Sequence, residues 1–471
     1  MNETITPHFH YHIILLKKII GDFMKNKFFI AILTFLMLFS SISVYAESSE
    51  PELQAQNVIL MDAQTGTVLY EKNADEKAYP ASITKLMTVL LGLENGNLSD
   101  VITMSHDAIY SIEPGSSHIS LLEGEEVTLE QLLYAIMLRS ANEAANAVAE
   151  YVDGSMDAFA VHMTERAKEL GCTNTNFLNA NGLHDENHYT TAHDMALIMQ
   201  ELLKHEEFLT IASSVYYEIG PTNMQTETRY LHGQNQLMRS NSTYYRDYVI
   251  AGKTGYTDQA RNTLVSAATQ NGTTLIAVTM GCNGAEHYTD SIALYEYGFA
   301  NFKTATLMTQ EQTAQTVSVT ETIDHDTTEK GKVQAIAMDD IAVTVPIDAD
   351  VSVYQTSVTC NDTASAPVAA GDELGKITVT DGDGNTVYTT SLFANTDVAA
   401  STAEEVAVMK KEAQITLLKE IIFGAALAVL GFLILLCITR TIGKYQYKKR
   451  RKQRRHRQRN HMAASSRNPK S

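Results

Sequence analysis

Residues 79–88 read YPASITKLMT, and the fold and the chemistry of the chain are decided in this stretch. Tyr79-Pro80-Ala81 is a suitable helix entry, and the apolar run after it stops only at Glu94-Asn95-Gly96. Because this helix is apolar on nearly all sides, we expect it in the middle of a domain. Ser82 then lies in the first turn, where free backbone N–H groups favour negative charge, and Lys85 lies on the same face.

The pair Ser82 and Lys85 could be catalytic. Burial would lower the pKa of the lysine, because desolvation disfavours its charged form, and the neutral amine could take the serine proton. Alone the pattern S-x-x-K is weak, since average residue frequencies give roughly two matches in a chain of this length. The alternative is a serine at a helix cap and a solvated lysine.

Two further motifs favour the catalytic interpretation. Ser140-Ala141-Asn142 lies in a break between two helices, the first of which opens with a capping box at Thr128 to Gln131. Lys253-Thr254-Gly255 lies at the end of a strand, and chance would give this tripeptide only about one time in eight. The three motifs together therefore indicate one catalytic site.

In the order S-x-x-K, S-x-N and K-T-G, the motifs resemble those of the penicillin-binding proteins and serine β-lactamases. The phrases at residues 115–150, 174–198 and 252–268 are similar to those of the low-molecular-mass D-alanyl-D-alanine carboxypeptidases. The resemblance covers roughly residues 50–300. It implies an α+β catalytic domain of the β-lactamase/transpeptidase type, with an antiparallel sheet flanked by helices and a helical subdomain.

The resemblance also implies roles for the motif residues. Ser82 would attack the penultimate carbonyl of a D-Ala-D-Ala peptidoglycan stem, with Lys85 as its base and Ser140 as a proton relay to the leaving amine. The other implied contacts are Asn142 with the substrate amide, Lys253 and Thr254 with its carboxylate, Gly255 with its backbone, and the N–H groups of Ser82 and Tyr256 as the oxyanion hole. β-Lactam antibiotics would be inhibitors, and no cofactor is expected.

His287 is an additional candidate. Many members of the family carry an arginine just before the last helix of the catalytic domain, and here His287 aligns near that position. We predict that His287 is an auxiliary contact for the substrate carboxylate, with a weaker hold above neutrality because histidine titrates at about 6.5. The alternative is a surface histidine in a loop.

Two patterns in the sequence resemble metal sites, but neither has the features that such a site needs. His184 and His188 have a zinc-like spacing, yet the turn residues around them place both in a loop. The segment DGDGN at 381–385 begins like a calcium loop, but Thr386 stands where glycine is needed, so we expect a hairpin turn. The sequence therefore predicts no metal site.

Signals near both ends predict export and membrane attachment. Residues 24–46 combine a basic start, an apolar stretch and a small-residue site, so residues 1–46 are expected to hold a signal peptide that starts at Met24. The uncharged run 421–439 is long enough to cross the roughly 30 Å hydrocarbon layer. The basic residues after it indicate the cytoplasmic side, which places the catalytic domain on the extracytoplasmic side.

These signals divide the chain into segments. Residues 47–302 form the expected catalytic domain, 303–396 a small β-sandwich-like domain with short alternating runs, and 397–418 a linker. A transmembrane helix at 419–440 and a basic cytoplasmic tail at 441–471 follow. The whole chain has a net charge of -19 although its tail is basic, which argues against nucleic acid as a partner.

The sequence thus predicts a penicillin-binding serine D-Ala-D-Ala carboxypeptidase in the cell membrane. One alternative is a β-lactamase, which shares the nucleophile but needs fast deacylation, usually with an additional base that we cannot place. Another is a catalytically inactive wall-binding protein on the same fold. The presence of all the motif residues argues against an inactive protein, because such a protein has no chemical need for both lysines and both serines.

Overall fold

The computed structural model describes residues 50–310, 312–324 and 326–465, together with Lys18. The expected signal peptide, including its start at Met24 and its cleavage site, lies outside the described residues. By its internal contacts the chain divides into two compact units. One comprises the described chain up to Ala305 together with Ala342–Val351, and the other comprises Thr306–Ile341 and the chain from Ser352 onward. The domain boundaries assigned from sequence stay predictions.

The first unit contains both strands and helices. In chain order the strands are β1 (Asn57–Asp62), β2 (Val68–Lys72), β3 (Val101–Thr103), β4 (Glu126–Thr128), β5 (Tyr216–Ile219), β6 (Arg229–His232), β7 (Val249–Thr257), β8 (Arg261–Gln270) and β9 (Thr273–Cys282). The helices are α1 (Lys85–Asn95), α2 (His106–Tyr110), α3 (Leu129–Arg139), α4 (Asn142–Asp153), α5 (Met156–Glu169), α6 (Ala192–Leu202), α7 (Glu206–Ser213) and α8 (Glu286–Asn301).

The main sheet has the strand order β2-β1-β9-β8-β7, and neighbouring strands are antiparallel. Successive side chains of β1 face opposite sides of the sheet: Leu60 packs with Leu275 and Tyr295 under α8, whereas Ile59 and Met61 pack against the helical part. The sheet therefore separates two apolar cores, and β7 is an edge strand that borders the site described below.

Local turn chemistry forms two hairpins of the main sheet. β1 and β2 pair across residues 63–67, and β8 and β9 pair across Asn271-Gly272. Both turn residues have positive φ, 52° for Asn271 and 82° for Gly272, as a primed two-residue turn requires. The capping box of α3 is also present: the Thr128 side chain accepts from the Gln131 N–H, and the Gln131 side chain accepts from the Thr128 N–H. The predicted capping box is therefore confirmed.

α1 is the central helix of the first unit, as its apolar sequence predicts. It contacts α3, α4, α5 and α6, and Leu86, Met87 and Leu90 are completely buried. Burial on all sides fixes the orientation of the helix, and with it the turn that carries Ser82.

The second unit is built on a β-sheet. The strands from Phe302 onward are β10 (Phe302–Met308), β11 (Gln315–Ile323), β12 (Asp326–Ile336), β13 (Ile341–Pro346), β14 (Gln355–Cys360), β15 (Thr363–Ser365), β16 (Glu373–Thr380) and β17 (Thr386–Ala394). Of these, β10 is divided between the two units and β13 lies almost wholly in the first. Six of them form a sheet in the order β14-β16-β17-β12-β11-β15, and β10 pairs with β13. The predicted turn at DGDGN joins β16 to β17, and Asp381 closes it by accepting from the N–H groups of Asp383 and Asn385.

The last helix, α9 (Ala403–Ser465), continues without interruption through most of the expected linker, the uncharged run and the start of the basic tail. Within the described part of the chain it is the one helix long and apolar enough to cross a membrane. The apolar window of this helix has a mean hydropathy of 3.0, and none of it is buried against protein. A buried core helix is therefore excluded as its explanation, and α9 is a candidate membrane anchor.

Candidate active site

Ser82 lies in a short 3-10 turn, Ala81–Thr84, that leads directly into α1. The turn starts in a left-handed conformation, since Ala81 has a φ of 51°. The loop at Gly182 passes very close behind it: a Cβ on Gly182 would lie 1.9 Å from the Ala81 carbonyl oxygen. Only glycine fits there, so the approach of this loop helps to fix the serine turn.

Lys85 follows three residues later and is completely buried. Its Nζ lies 3.1 Å from Ser82 Oγ, 2.7 Å from Asn142 Oδ1 and 2.5 Å from the Asn181 carbonyl oxygen. Burial, reinforced by the charge of Lys253, holds the pKa of Lys85 well below its usual range. A neutral amine has two N–H bonds and one lone pair. The two amide oxygens accept the N–H bonds, which leaves the lone pair for the Ser82 hydroxyl.

Ser140 and Asn142 lie at the junction between α3 and α4. Ser140 is the residue that reverses the chain, with a left-handed φ of 58°, and Asn142 is the first residue of α4. The side chain of Lys253 donates to Ser140 Oγ at 3.0 Å and to the carbonyl of Thr254 at 2.7 Å. Burial lowers the pKa of Lys253 to about 7, so at neutral pH this group is divided between its charged and neutral forms.

An open cleft of about 640 Å³ joins these groups. Its wall includes Ser82, Ser140, Asn142, Thr254, Gly255, Tyr256 and His287, and the two lysines lie behind that wall. All nine residues predicted from sequence therefore converge on one place. The K-T-G motif differs in one detail from its expected position, because β7 continues beyond it to Thr257.

Gly255 is required for a reason that sequence alone did not suggest. The expectation was that its missing side chain makes room for substrate. In the structure a Cβ there would lie 2.8 Å from the backbone nitrogen of Ser82 and 2.5 Å from Thr263 Oγ1. The glycine allows β7 to approach the serine turn, and Thr263 Oγ1 reinforces that approach by donating to the Pro80 carbonyl at 2.9 Å.

His287 lines the cleft, but its charge differs from the expectation. It lies in the first turn of α8 and is 6 % exposed. Burial lowers the pKa of His287 to about 4, so the ring is already neutral at neutral pH and has no charge to lose above it. Its Nδ1 is buried without a hydrogen-bond partner among the described residues. The imidazole therefore lies at the cleft as a neutral group and not as a titrating cation.

The structure adds residues that the sequence analysis missed. Asn181, noted only as part of a turn signal, supplies the carbonyl that accepts from Lys85, and its Nδ2 donates to Asn146 Oδ1. Glu143, next to the S-x-N motif, accepts from the Ile119 N–H at 2.7 Å. Arg229 donates to the Ile119 carbonyl and, at 2.7 Å, to Glu125. These contacts hold the loop before Leu121 that forms one cleft wall. Their partners are too distant in sequence for any local pattern to pair them.

The histidines with zinc-like spacing have structural roles. His188 Nδ1 accepts from the Leu178 N–H at 3.0 Å, and its Nε2 lies 2.8 Å from Thr84 Oγ1. Burial lowers the pKa of His188 to about 4, which keeps the ring neutral. His184 instead packs edge-on against the ring of Tyr79.

One group within the described residues has metal-ligand geometry, formed by Glu94, Glu201 and His205. Arg166 donates to both carboxylates, at 2.7 Å and 3.3 Å. The Arg166 guanidinium and the Lys204 ammonium, 2.8 Å from Glu201, thus already pair with the two carboxylates that would attract a cation.

Comparison with known proteins places this site in a family. The family model described as D-alanyl-D-alanine carboxypeptidase matches residues 45–284, and that of the penicillin-binding protein 5 C-terminal domain matches residues 302–400. The chain is 32% identical to D-alanyl-D-alanine carboxypeptidase DacF of Bacillus subtilis over 79% of its own length and 90% of the relative's. It is 30% identical to DacA of Haemophilus influenzae, over 78% and 93% of the two chains. The solved penicillin binding protein 5 of Haemophilus influenzae is similar with a TM-score of 0.58 and 28% identity, over 74% of this chain and 99% of that one.

Proposed function

This chain belongs to the D-alanyl-D-alanine carboxypeptidase family, and on that premise we propose that Ser82 is the nucleophile that removes the terminal D-alanine from peptidoglycan stem peptides. The enzyme is a serine carboxypeptidase and hence a hydrolase, and its family implies that it binds β-lactams. The observation that carries the assignment to Ser82 is the buried amine of Lys85, 3.1 Å from the serine oxygen.

Acylation begins when neutral Lys85 takes the Ser82 proton and Ser82 Oγ attacks the carbonyl of the penultimate D-alanine. The backbone N–H groups of Ser82 and Tyr256 hold the oxyanion, and donors of this kind contribute about 3 kcal/mol each to transition-state stabilisation. Because Ser140 Oγ accepts from Lys253, its own O–H is free to donate to the leaving amine. The C–N bond breaks, D-alanine leaves, and an ester on Ser82 remains. The proton held by Lys85 replaces the one that Ser140 gave to the leaving amine, so Lys85 is neutral again.

Substrate binding uses the polar groups that are not hydrogen-bonded to Lys85. Asn142 accepts from Lys85 through its Oδ1, which leaves its Nδ2 to donate to the substrate amide. The charged form of Lys253 and the Thr254 hydroxyl hold the terminal carboxylate. His287, which also lines the cleft, adds a neutral hydrogen bond.

Deacylation repeats the same chemistry with water. Lys85 takes a proton from water, the hydroxide oxygen attacks the ester carbonyl, and the C–O bond to Ser82 breaks. The Ser82 oxygen recovers a proton and the shortened stem peptide leaves.

A direct test uses the full-length protein in detergent. We expect release of D-alanine from a diacetylated L-Lys-D-Ala-D-Ala peptide and a long-lived adduct of labelled penicillin on Ser82. Ser82→Ala should abolish both, whereas Ser117→Ala, a serine of the cleft wall with no assigned role in the reaction, should retain both. Fast penicillin turnover without D-alanine release would refute the proposal in favour of a β-lactamase.

We also propose that α9 spans the cell membrane once, with the catalytic domain on the extracytoplasmic side and the basic tail in the cytoplasm. The support for this orientation is the charge asymmetry: residues 440–471 contain 13 lysines and arginines and no acidic residue.

A further inference from the structure

A second pocket of about 390 Å³ lies beside the catalytic cleft. We call it the flanking pocket. Its lining includes Lys77, Tyr79, Glu186, Tyr189 and Arg261. Three chain segments line both cavities: the segment around the serine turn, the loop after Asn181, and the end of β7 with its turn into β8. The flanking pocket is therefore reached from the cleft by following the end of β7.

The direction in which the bound substrate chain must run also leads to the flanking pocket. Lys253 and Thr254 hold the terminal carboxylate, and Tyr256, further along β7, holds the oxyanion of the penultimate residue. A peptide paired with this edge strand must therefore continue towards Thr257 and the β7–β8 turn. At about 3.3 Å per residue, the third residue from the end of the stem lies beside that turn. Its side chain can enter the flanking pocket.

The flanking pocket is lined by three exposed charged side chains. Lys77 Nζ lies 3.9 Å from the centre of the Tyr189 ring, and no carboxylate among the described residues pairs with it. The Arg261 guanidinium contacts the side chain of Asn283. Glu186 is the one acidic residue of the pocket and has no cationic partner among the described residues. The pocket thus offers two cations and one anion.

Arg261 also has an unfavourable backbone. Its φ is 55°, in the left-handed region, where a residue with a Cβ loses roughly 1 kcal/mol that glycine would not lose. Strain of this kind at the rim of a cleft fits a role for the side chain.

We propose that the flanking pocket binds the free amino-acid end of a diamino acid side chain at the third position of the stem peptide. Lys77 and Arg261 contact its carboxylate, and Glu186 contacts its ammonium group. The proposal rests on the carboxypeptidase function of the neighbouring cleft. It makes the enzyme selective for stems whose third residue ends in both a carboxylate and an amine, as in diaminopimelate, over stems that end in an amine alone, as in lysine.

The experiment compares three pentapeptides with the full-length protein in detergent: one with diaminopimelate at the third position, one with its side-chain carboxylate amidated, and one with lysine. D-Alanine release is measured for each. We expect kcat/KM to be roughly tenfold or more higher for the free diaminopimelyl peptide, mainly through KM, as a charge-assisted contact predicts. Lys77→Ala and Arg261→Gly should bring the ratio between the peptides close to one. Arg261→Gly removes the guanidinium without adding backbone strain.

Lys168→Ala, an exposed lysine on α5, is the matched control and should keep the wild-type ratio. Equal kcat/KM for the three peptides in the wild type would overturn the subsite and leave the carboxypeptidase function standing. Unchanged selectivity in both pocket variants would do the same. No D-alanine release from any peptide would overturn the function itself, and the subsite with it. The comparison of peptides needs no variant, so it holds even where a substitution disturbs folding.

Discussion

Lys85 and Lys253 are both buried, yet the proposed mechanism needs them in opposite charge states. Lys85 acts as a base and must be neutral, which its strongly lowered pKa provides. Lys253 binds a carboxylate and must be charged, and its pKa of about 7 provides the charge only up to neutrality. Because each ammonium opposes the other, protonated Lys253 also helps to keep Lys85 neutral.

We therefore predict that kcat/KM declines as the pH rises through about 7, because the free enzyme loses the positive charge of Lys253. The decline in kcat should lie at higher pH, since a bound carboxylate favours the charged lysine. Lys253→Arg should remove the alkaline decline of kcat/KM, even if its maximum is lower, because arginine stays charged. The measurement is the pH profile of D-alanine release by the two proteins. An identical alkaline midpoint in both would exclude Lys253 as the titrating group.

The sequence predicted that these residues lie together better than it predicted their charge states. Ser82 and Lys85 are three positions apart on a helix, so their contact follows from local geometry. The contact between Lys85 and the carbonyl of Asn181 joins residues 96 positions apart, and only tertiary packing creates it. The charge of His287 failed as a prediction for the same reason, because its low pKa comes from burial.

At the scale of elements, the site depends on two close backbone approaches. The loop at Gly182 and the edge strand β7 at Gly255 both contact the turn Ala81–Thr84, where no side chain can be inserted between them. The hairpins on either side were predictable because their turns have local signatures. The pairing of β1 with β9 was not, since it joins the first and last hairpins of the sheet across some 200 residues of chain.

Gly182→Ala should displace the serine turn. The new Cβ would lie 1.9 Å from the Ala81 carbonyl oxygen, and the φ of 85° adds strain. We expect the two effects to destabilise the protein by about 3 kcal/mol and to slow acylation by penicillin at least tenfold. Thermal unfolding and the rate of adduct formation measure them.

The matched control is Gly154→Ala at the end of α4. Its φ of 75° is similar, but nothing lies within 4 Å of the added Cβ. It should therefore cost about 1 kcal/mol and leave the acylation rate unchanged. Similar losses in the two variants would mean that backbone strain, and not the close approach to Ala81, makes Gly182 necessary.

At the scale of the whole molecule, α9 accounts for the contrast between an acidic body and a basic end. The helix contains the entire uncharged run, and residues such as Phe423 and Leu427 are more than half exposed. Side chains of this kind are stable in lipid and unfavourable in water. The length of the uncharged run was enough to predict a membrane-spanning segment. Only the structure shows that the helix continues on both sides of that run.

Truncation after residue 418 should therefore release a soluble protein. Its turnover of small peptides should match that of the full chain, because every residue assigned to the site precedes residue 288. To test this, washed membranes are separated from the soluble fraction, and D-alanine release is measured in each. A truncated protein that remained with the membranes would show that another segment provides the anchor.

The two glycines beside the serine turn also limit how a bacterium could evolve drug resistance in this enzyme. A mutation that crowds the nucleophile from either flank would exclude β-lactams, but at Gly182 and Gly255 the added atoms would collide with the main chain of the serine turn itself. The cleft wall at Gly115 has open space where its Cβ would lie, so a substitution there costs only the roughly 1 kcal/mol of its left-handed φ of 82°. We expect substitutions that reduce susceptibility while preserving the enzyme to arise in that wall and not beside Ser82.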